Sequence, residues 1–169
     1  VVDGWSPEVE SAIPAEIKKS DEYKNFQRDL SFVKRQREEK TLVMREFLDS
    51  IESNLREKTE PRFRRLVSDY LAKEYVTVEQ RLYAVKTDKK WQWLGKLYPA
   101  VFTRDRQVLF LSMDKLLSRN TTIVEPSYMF YNSDIVKNAV IFIDEFDATK
   151  DTILKKIIDN GLHDKVDYI

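Results

Sequence analysis

The segment from Ala139 to Asp147, which reads A-V-I-F-I-D-E-F-D, constrains the fold more than any other part of the sequence. Ala139 to Ile143 is apolar without interruption, which is typical of a central strand in a parallel sheet covered on both faces. The carboxylates Asp144, Glu145 and Asp147 follow directly. Because ligands bind outside the carboxyl ends of strands in open parallel sheets, the pattern predicts a buried strand that ends in an acidic ligand site.

Residues 21–100 predict a helical module. Ser20 and Asp21 are suitable N-caps, and apolar residues recur at three- and four-residue spacing from Tyr23 to Leu55, with a possible break around Glu38 to Thr41. The sequence Thr59-Glu60-Pro61 indicates a new helix start, so we expect two helices that form a hairpin. Residues 1–20 carry Pro7, Pro14 and a glycine without a sustained period, and we interpret them as an irregular N-terminal arm.

Residues 101–169 have a different pattern. Val108 to Leu111 is a short apolar run that predicts a strand, and a capped helical stub is expected from Ser112 through Leu117. The Ala139 strand and a helix from Ala148 to Asn160, ended by Gly161, follow. The order strand, helix, strand, helix predicts part of a parallel α/β domain, so the fold class expected is α/β with a large helical part.

Composition restricts the function classes. The 29 basic and 29 acidic residues balance, so overall charge does not favour a polyanionic partner, although local basic patches stay possible. Cysteine is absent, which excludes disulfides and thiolate metal sites and indicates a reducing compartment, the cytoplasm. The apolar runs are far shorter than the roughly 20 residues that span a bilayer, so we expect a soluble protein without a membrane partner. The single histidine, His163, excludes sites built from several imidazoles.

The acidic strand end suits phosphoryl chemistry. One carboxylate there can hold the water shell of a magnesium ion, and its neighbour can orient an attacking water. A purely structural alternative exists, because Asp147 stands just before Ala148 and carboxylates are favoured at helix N-termini. The pattern alone leaves both interpretations open.

The sequence Asp144-Glu145-Phe146-Asp147 resembles the D-E-x-D motif of superfamily-two helicases and related translocases. The stretch V-L-F-L-S-M-D-K-L-L, from Val108 to Leu117, is similar to the T-P-x-x-L-L motif of that family, with Ser112-Met113 in place of Thr-Pro, and Ser112 precedes Asp144 by 32 residues. The resemblance implies a RecA-like motor domain and a nucleic-acid-dependent ATPase.

Carried over residue by residue, the resemblance implies a catalytic role for three carboxylates. Asp144 would coordinate magnesium with ATP, Glu145 would position the hydrolytic water, and Asp147 would couple nucleotide state to other motifs. Ser112 and Lys115 would face the phosphates of DNA or RNA.

The phosphate-binding half of such a site is missing from the sequence. Gly95-Lys96 is followed by Leu97 where G-x-x-x-x-G-K-[ST] needs Ser or Thr, and Lys90 stands where its first glycine belongs. The chain also begins Val1-Val2, and no S-A-T-like motif follows the acidic residues. We therefore expect part of a larger ATPase, inactive alone and completed by the remaining motor domain, with residues 21–100 as an insertion or flanking module.

The alternative is a helical protein-interaction module without catalytic activity.

Two further features of the helical region have competing interpretations. Its arginines, among them Arg35, Arg37 and Arg45, could line a nucleic-acid path, but interleaved glutamates favour a solvated helix face with i,i+4 pairs. Trp91, Trp93 and Tyr98 could form a platform for stacking bases, but their spacing favours a core.

Overall fold

A computed structural model describes residues 1–39, 45–120, 122–137, 139–142, 150–151, 153–155 and 158. The chain divides into two compact units, Val1–Thr103 and Arg104–Ile169. Helices dominate the described residues, whose strands form a two-stranded antiparallel sheet. The large helical part that the sequence predicts is confirmed, whereas the described ranges contain no parallel sheet.

The first unit begins with two short helices, α1 (Pro7–Ala12) and α2 (Ala15–Lys18). The Ser6 side chain caps α1 by accepting a hydrogen bond from Val9 N, and Pro7 occupies the first turn, where its missing N–H costs nothing. Pro14 is the N-cap of α2. Both prolines therefore mark helix starts, and the expected irregular arm is replaced by two helices that bury Val9 and Ile17.

The long helix α3 (Asp21–Glu39) packs against a second helical run made of α4 (Arg45–Asn54), a π-helical segment (Leu55–Thr59) and α5 (Glu60–Glu74). The α-helix α5 begins at Glu60 with Pro61 in its first turn, as predicted, but the Thr59 side chain does not cap it and the backbone is already helical before this point. Pro61 lacks the N–H for a regular i→i−4 bond, and the wide turn before it satisfies Glu60 N by a bond to Leu55 O. Helix therefore runs on either side of residues 40–44.

The core of the first unit is built on stacked aromatic rings. The Phe26 ring of α3 lies parallel to the Phe63 ring of α5, with centroids 4.4 Å apart and an interplanar angle of 8°, and Trp93 lies 6.4 Å beyond Phe63. Trp91, Trp93 and Tyr98 are all buried, so the core interpretation of these aromatics is confirmed and a base-stacking platform at this position is excluded.

Helices α6 (Val78–Thr87) and α7 (Gln92–Leu97) follow, and a 3₁₀ segment from Pro99 to Asp105 leads out of the unit. Thr77 and Gln80 form a capping box at the start of α6, in which each side chain bonds the backbone of the other residue. Gly95 of α7 faces the Phe102 ring so closely that a Cβ would lie 2.6 Å from it. This glycine serves close packing within the helical unit.

The second unit contains α8 (Met113–Leu117), the paired strands β1 (Arg119–Asn120) and β2 (Tyr128–Met129), a 3₁₀ turn (Phe130–Asn132) and α9 (Asp134–Lys137). In the antiparallel pair, Arg119 lies opposite Met129 and Asn120 opposite Tyr128. The described residues Lys150, Asp151, Ile153, Leu154, Lys155 and Ile158 are helical, in agreement with the helix predicted from Ala148 to Asn160.

Both apolar segments predicted to be strands differ from that prediction. Val108–Leu111 belongs to no strand, and its Phe110 side chain is 97% exposed. Ala139–Phe142, the described part of the second predicted strand, is also outside any strand, and Phe142 is 91% exposed. An apolar run becomes a buried strand only when neighbouring strands pair with it and helices cover it. In the described part of this unit β1 and β2 pair only with each other, and neither apolar segment forms the predicted strand there.

None of the described helices is both long enough and apolar enough to cross a membrane.

Candidate functional site

The acidic residues predicted to carry the chemistry, Asp144, Glu145 and Asp147, lie outside the described residues, as does His163. Their geometry and the predicted magnesium site are therefore untested. The described residues on their N-terminal side, Val140, Ile141 and Phe142, are exposed. The acidic motif thus follows an apolar segment that the described part of the second unit leaves uncovered.

Ser112 and Lys115, the predicted contacts to a nucleic-acid backbone, lie at the start of α8. The Ser112 Oγ accepts a hydrogen bond from Lys115 N at 3.2 Å, and Ser112 O accepts one from Leu116 N. The capped helical stub predicted at Ser112 is confirmed. Both side chains are exposed. The Ser112 hydroxyl still has its own proton to donate, so the structure leaves these residues accessible to a ligand.

An ion pair joins Arg104 to the loop between β1 and β2 of the second unit. Arg104 Nε donates to Glu125 Oε1 at 2.8 Å, and the Glu125 side chain is only 6% exposed. This hydrogen bond raises the pKa of Arg104 above its ordinary value. Glu125 N in turn donates to Thr122 Oγ1, beside the buried Val124. All of these groups are satisfied within the unit, so we assign the pair a structural role.

A cavity of about 450 Å³ lies in the first unit between α3 and the α4 and π-helical run. Arg37 and Arg56 are its basic lining residues. Arg37 pairs with Glu52 at 2.9 Å, and Arg56 pairs with Glu57 at 3.4 Å. Both arginines of the lining are therefore already paired with carboxylates, and they do not mark an anion site.

Comparisons with protein families, curated proteins and solved structures found no match. Within the described ranges, no group of three or more His, Cys, Asp or Glu side chains is placed to hold a metal ion.

The described structure also shows a basic surface in the region for which the sequence favours a solvated helix face. Lys24, Arg28 and Arg35 are exposed on α3, near an aromatic pair formed by Phe32 and Phe47. The signal was present in the sequence, because cations four and seven residues apart share one face of a helix. The interleaved glutamates obscure this pattern in the linear sequence, where the faces of the helix are not separated.

Proposed function

We propose that this chain contributes part of a helicase-like, nucleic-acid-dependent ATPase, in which the second unit supplies the D-E-x-D motif of a RecA-like parallel sheet. The observation that supports this proposal is the exposure of two apolar segments, Val108–Leu111 and Ala139–Phe142. Each of them precedes a helix, α8 in one case and the helical residues from Lys150 in the other.

Exposed apolar side chains of this size favour a covered state. Val108 and Val140 are 69% and 81% exposed, and the two phenylalanines are more exposed still. Burying one such side chain contributes about 1.5–3 kcal/mol, so contiguous exposed apolar residues mark surfaces that another element covers. In the proposed motor, the two segments become strands that pair with the strands of the remaining motor domain.

The proposed chemistry divides between this chain and the remaining motor domain. Asp144 would hold the magnesium ion that accompanies ATP, Glu145 would orient the attacking water, and Asp147 would link the nucleotide to neighbouring motifs. Ser112 and Lys115 would contact the backbone of DNA or RNA. The phosphate-cradling lysine would come from the remaining motor domain, and the lack of cysteine favours a cytoplasmic location.

The test starts from the coding sequence on both sides of this chain. The proposal requires a G-x-x-x-x-G-K-[ST] cradle in the same reading frame, and a frame without one overturns it. Where the cradle is present, ATP hydrolysis by the longer protein is measured with single-stranded DNA and with RNA. Glu145→Gln is expected to lower kcat at least about 100-fold while ATP binding persists.

Asp151→Asn is the matched control, because it removes an exposed carboxylate from the following helix. This control is expected to retain hydrolysis. Full stimulated hydrolysis by the Glu145→Gln protein would show that Glu145 does not position the water.

A second candidate, a helical protein-interaction module without catalytic activity, is favoured by a different observation. The first unit has its own aromatic core and exposes Val76 and Tyr83, at 78% and 69%, beside and on α6. Such a module would be indifferent to the Glu145→Gln change. Its binding to a protein partner would fall when Val76 and Tyr83 are replaced by serine.

A further inference from the structure

The outward face of α3 carries cations at helical spacing. Lys24, Arg28 and Arg35 are separated by four and seven residues, which places them on one face along roughly 16 Å of helix at 1.5 Å per residue. The Lys24 and Arg28 side chains are 62% and 69% exposed, and Arg35 is exposed as well. This arrangement forms a basic row, defined by these three residues.

The basic row ends beside an aromatic pair. The Phe32 ring of α3 meets the Phe47 ring of α4 edge to face, with centroids 5.7 Å apart and an interplanar angle of 89°. The Arg35 guanidinium carbon lies 6.0 Å from the Phe32 ring centroid. Phe47 is 50% exposed, so part of its ring remains open to a further stacking partner.

Two carboxylates contact the row without covering it. Asp21 pairs with Lys24 at 3.3 Å on the exposed surface, where such a pair is weak. Asp29 pairs with Arg28 at 3.0 Å but is itself only 4% exposed, so it holds the guanidinium from beneath. The outward side of Arg28 therefore stays available to an anion.

We propose that this face binds single-stranded nucleic acid, with backbone phosphates on Lys24, Arg28 and Arg35 and a base stacked on Phe47. Proteins that bind single strands combine a basic track with exposed aromatic rings in this way. The surface belongs to the helical unit and uses no residue of the acidic motif. This surface would give the proposed motor a second contact with the nucleic-acid strand. Binding at this surface does not require that the chain belong to a motor.

The experiment measures binding of the full chain to a labelled oligothymidylate of about 20 nucleotides by fluorescence anisotropy over a series of salt concentrations. Three phosphate contacts on a single strand predict a slope of log affinity against log salt of roughly −2. Arg35→Ala should weaken binding about three- to tenfold and reduce the steepness by roughly 0.7. Arg28→Gln should do the same while it keeps a donor for Asp29.

Phe47→Ala tests the stacking contact. It should weaken binding about tenfold with an unchanged salt slope, and this loss should disappear on an abasic strand. Arg65→Ala is the matched charge control, because Arg65 lies about 200° around α5 from the buried Phe63 and so faces away from α3. Tyr83→Ala is the control for an exposed aromatic ring.

Circular dichroism establishes that each variant is folded. Loss of affinity confined to the three α3 and α4 variants supports the proposal. Equal losses in the control variants, a Phe47 effect that persists on the abasic strand, or tighter binding of an acidic peptide than of the oligonucleotide would each overturn it. Neither result depends on ATP hydrolysis, so the motor proposal is tested separately.

Discussion

Asn54 donates a 2.6 Å hydrogen bond from its side-chain amide to the carboxylate of Asp29, which is almost completely buried. The other oxygen of that carboxylate accepts from Arg28. The bond joins α3 to the last residue of α4, directly before the π-helical segment. A buried carboxylate that loses a donor carries a desolvation penalty. This hydrogen bond therefore stabilises the packing of α3 against α4.

Asn54→Ala is therefore expected to lower the free energy of unfolding by about 1–3 kcal/mol. Urea denaturation followed by circular dichroism measures the change. Ser50→Ala, on the exposed surface of the same helix, should stay within about 0.5 kcal/mol of the unmodified chain. Equal stability of the two variants would show that the Asp29 carboxylate does not need this donor.

Gly95→Ala tests the close approach between α7 and Phe102. Alanine improves helix propensity by about 1 kcal/mol, but its Cβ meets the Phe102 ring at 2.6 Å, and overpacking costs about 1–3 kcal/mol. We expect net destabilisation in the unmodified chain. In a Phe102→Ala background, the same substitution should become stabilising, and a double-mutant cycle measures this reversal. Additive effects would mean that the ring moves aside without cost.

The capping box of α6 predicts how substitutions of the exposed Thr77 change stability. Thr77 Oγ1 accepts from Gln80 N at 3.2 Å, and the Gln80 side-chain oxygen accepts from Thr77 N at 3.1 Å. Thr77→Ala should cost about 1 kcal/mol, and Thr77→Ser should retain most of the stability. Denaturation midpoints compare the two, and an alanine variant as stable as the serine variant would contradict the role of the hydroxyl.

Tyr75 and Asp88 predict a pH dependence. The Tyr75 hydroxyl donates to Asp88 Oδ2 at 2.7 Å, and this bond, followed by the bond from Lys90 N, lowers the pKa of Asp88 below its ordinary value of 3.8. A lowered folded-state pKa contributes stability that is present above the ordinary value and is lost as the pH falls through the folded value. Tyr75→Phe should therefore be less stable than the unmodified chain at neutral pH.

The difference between these two proteins should shrink as the pH falls below 3.8. Thermal unfolding at a series of pH values measures it. A stability difference that is independent of pH across this range would assign the effect of Tyr75 to packing and not to the carboxylate.

The exposed phenylalanines of the second unit should tolerate replacement by a polar residue. Replacing Phe110 and Phe142 by serine removes no buried contact, so the free energy of unfolding should change by less than about 0.5 kcal/mol. Binding of the dye ANS should fall, because the dye binds exposed apolar surface. Thermal melts and dye fluorescence report the two quantities. A large drop in melting temperature would show that these rings are covered within the chain in solution.

The helical unit was largely predictable because its signals are local. Three- and four-residue spacing identifies α3 and α5. In the second unit the Ser112 cap is equally predictable, because its hydroxyl accepts a hydrogen bond from the N–H three residues later. The prolines near the N-terminus were harder to interpret, since a proline that breaks a helix and one that begins a helix look alike until the packing of Val9 and Ile17 is known.

The strands of the second unit were not predictable from local pattern. A run such as Val108–Leu111 forms a buried strand only together with partner strands, and nothing within the run itself identifies those partners. The apolar character of the run was identified correctly, but its burial depends on a sheet that the described residues do not form. The acidic motif stays a prediction, because Asp144, Glu145 and Asp147 lie outside the described residues.

The π-helical segment determines how far α4 is rotated about the helix axis relative to α5. Leu55, Thr59, Phe63, Val67 and Leu71 are buried at a constant spacing of four residues, although such a stripe drifts by about 40° per step on a regular α-helix. The wider turn at Leu55–Thr59 takes up part of this drift. Removing one residue there would rotate α4 by about 100° relative to α5 and carry Phe47 away from Phe32. The position of that exposed ring is therefore determined by the length of a segment it does not touch.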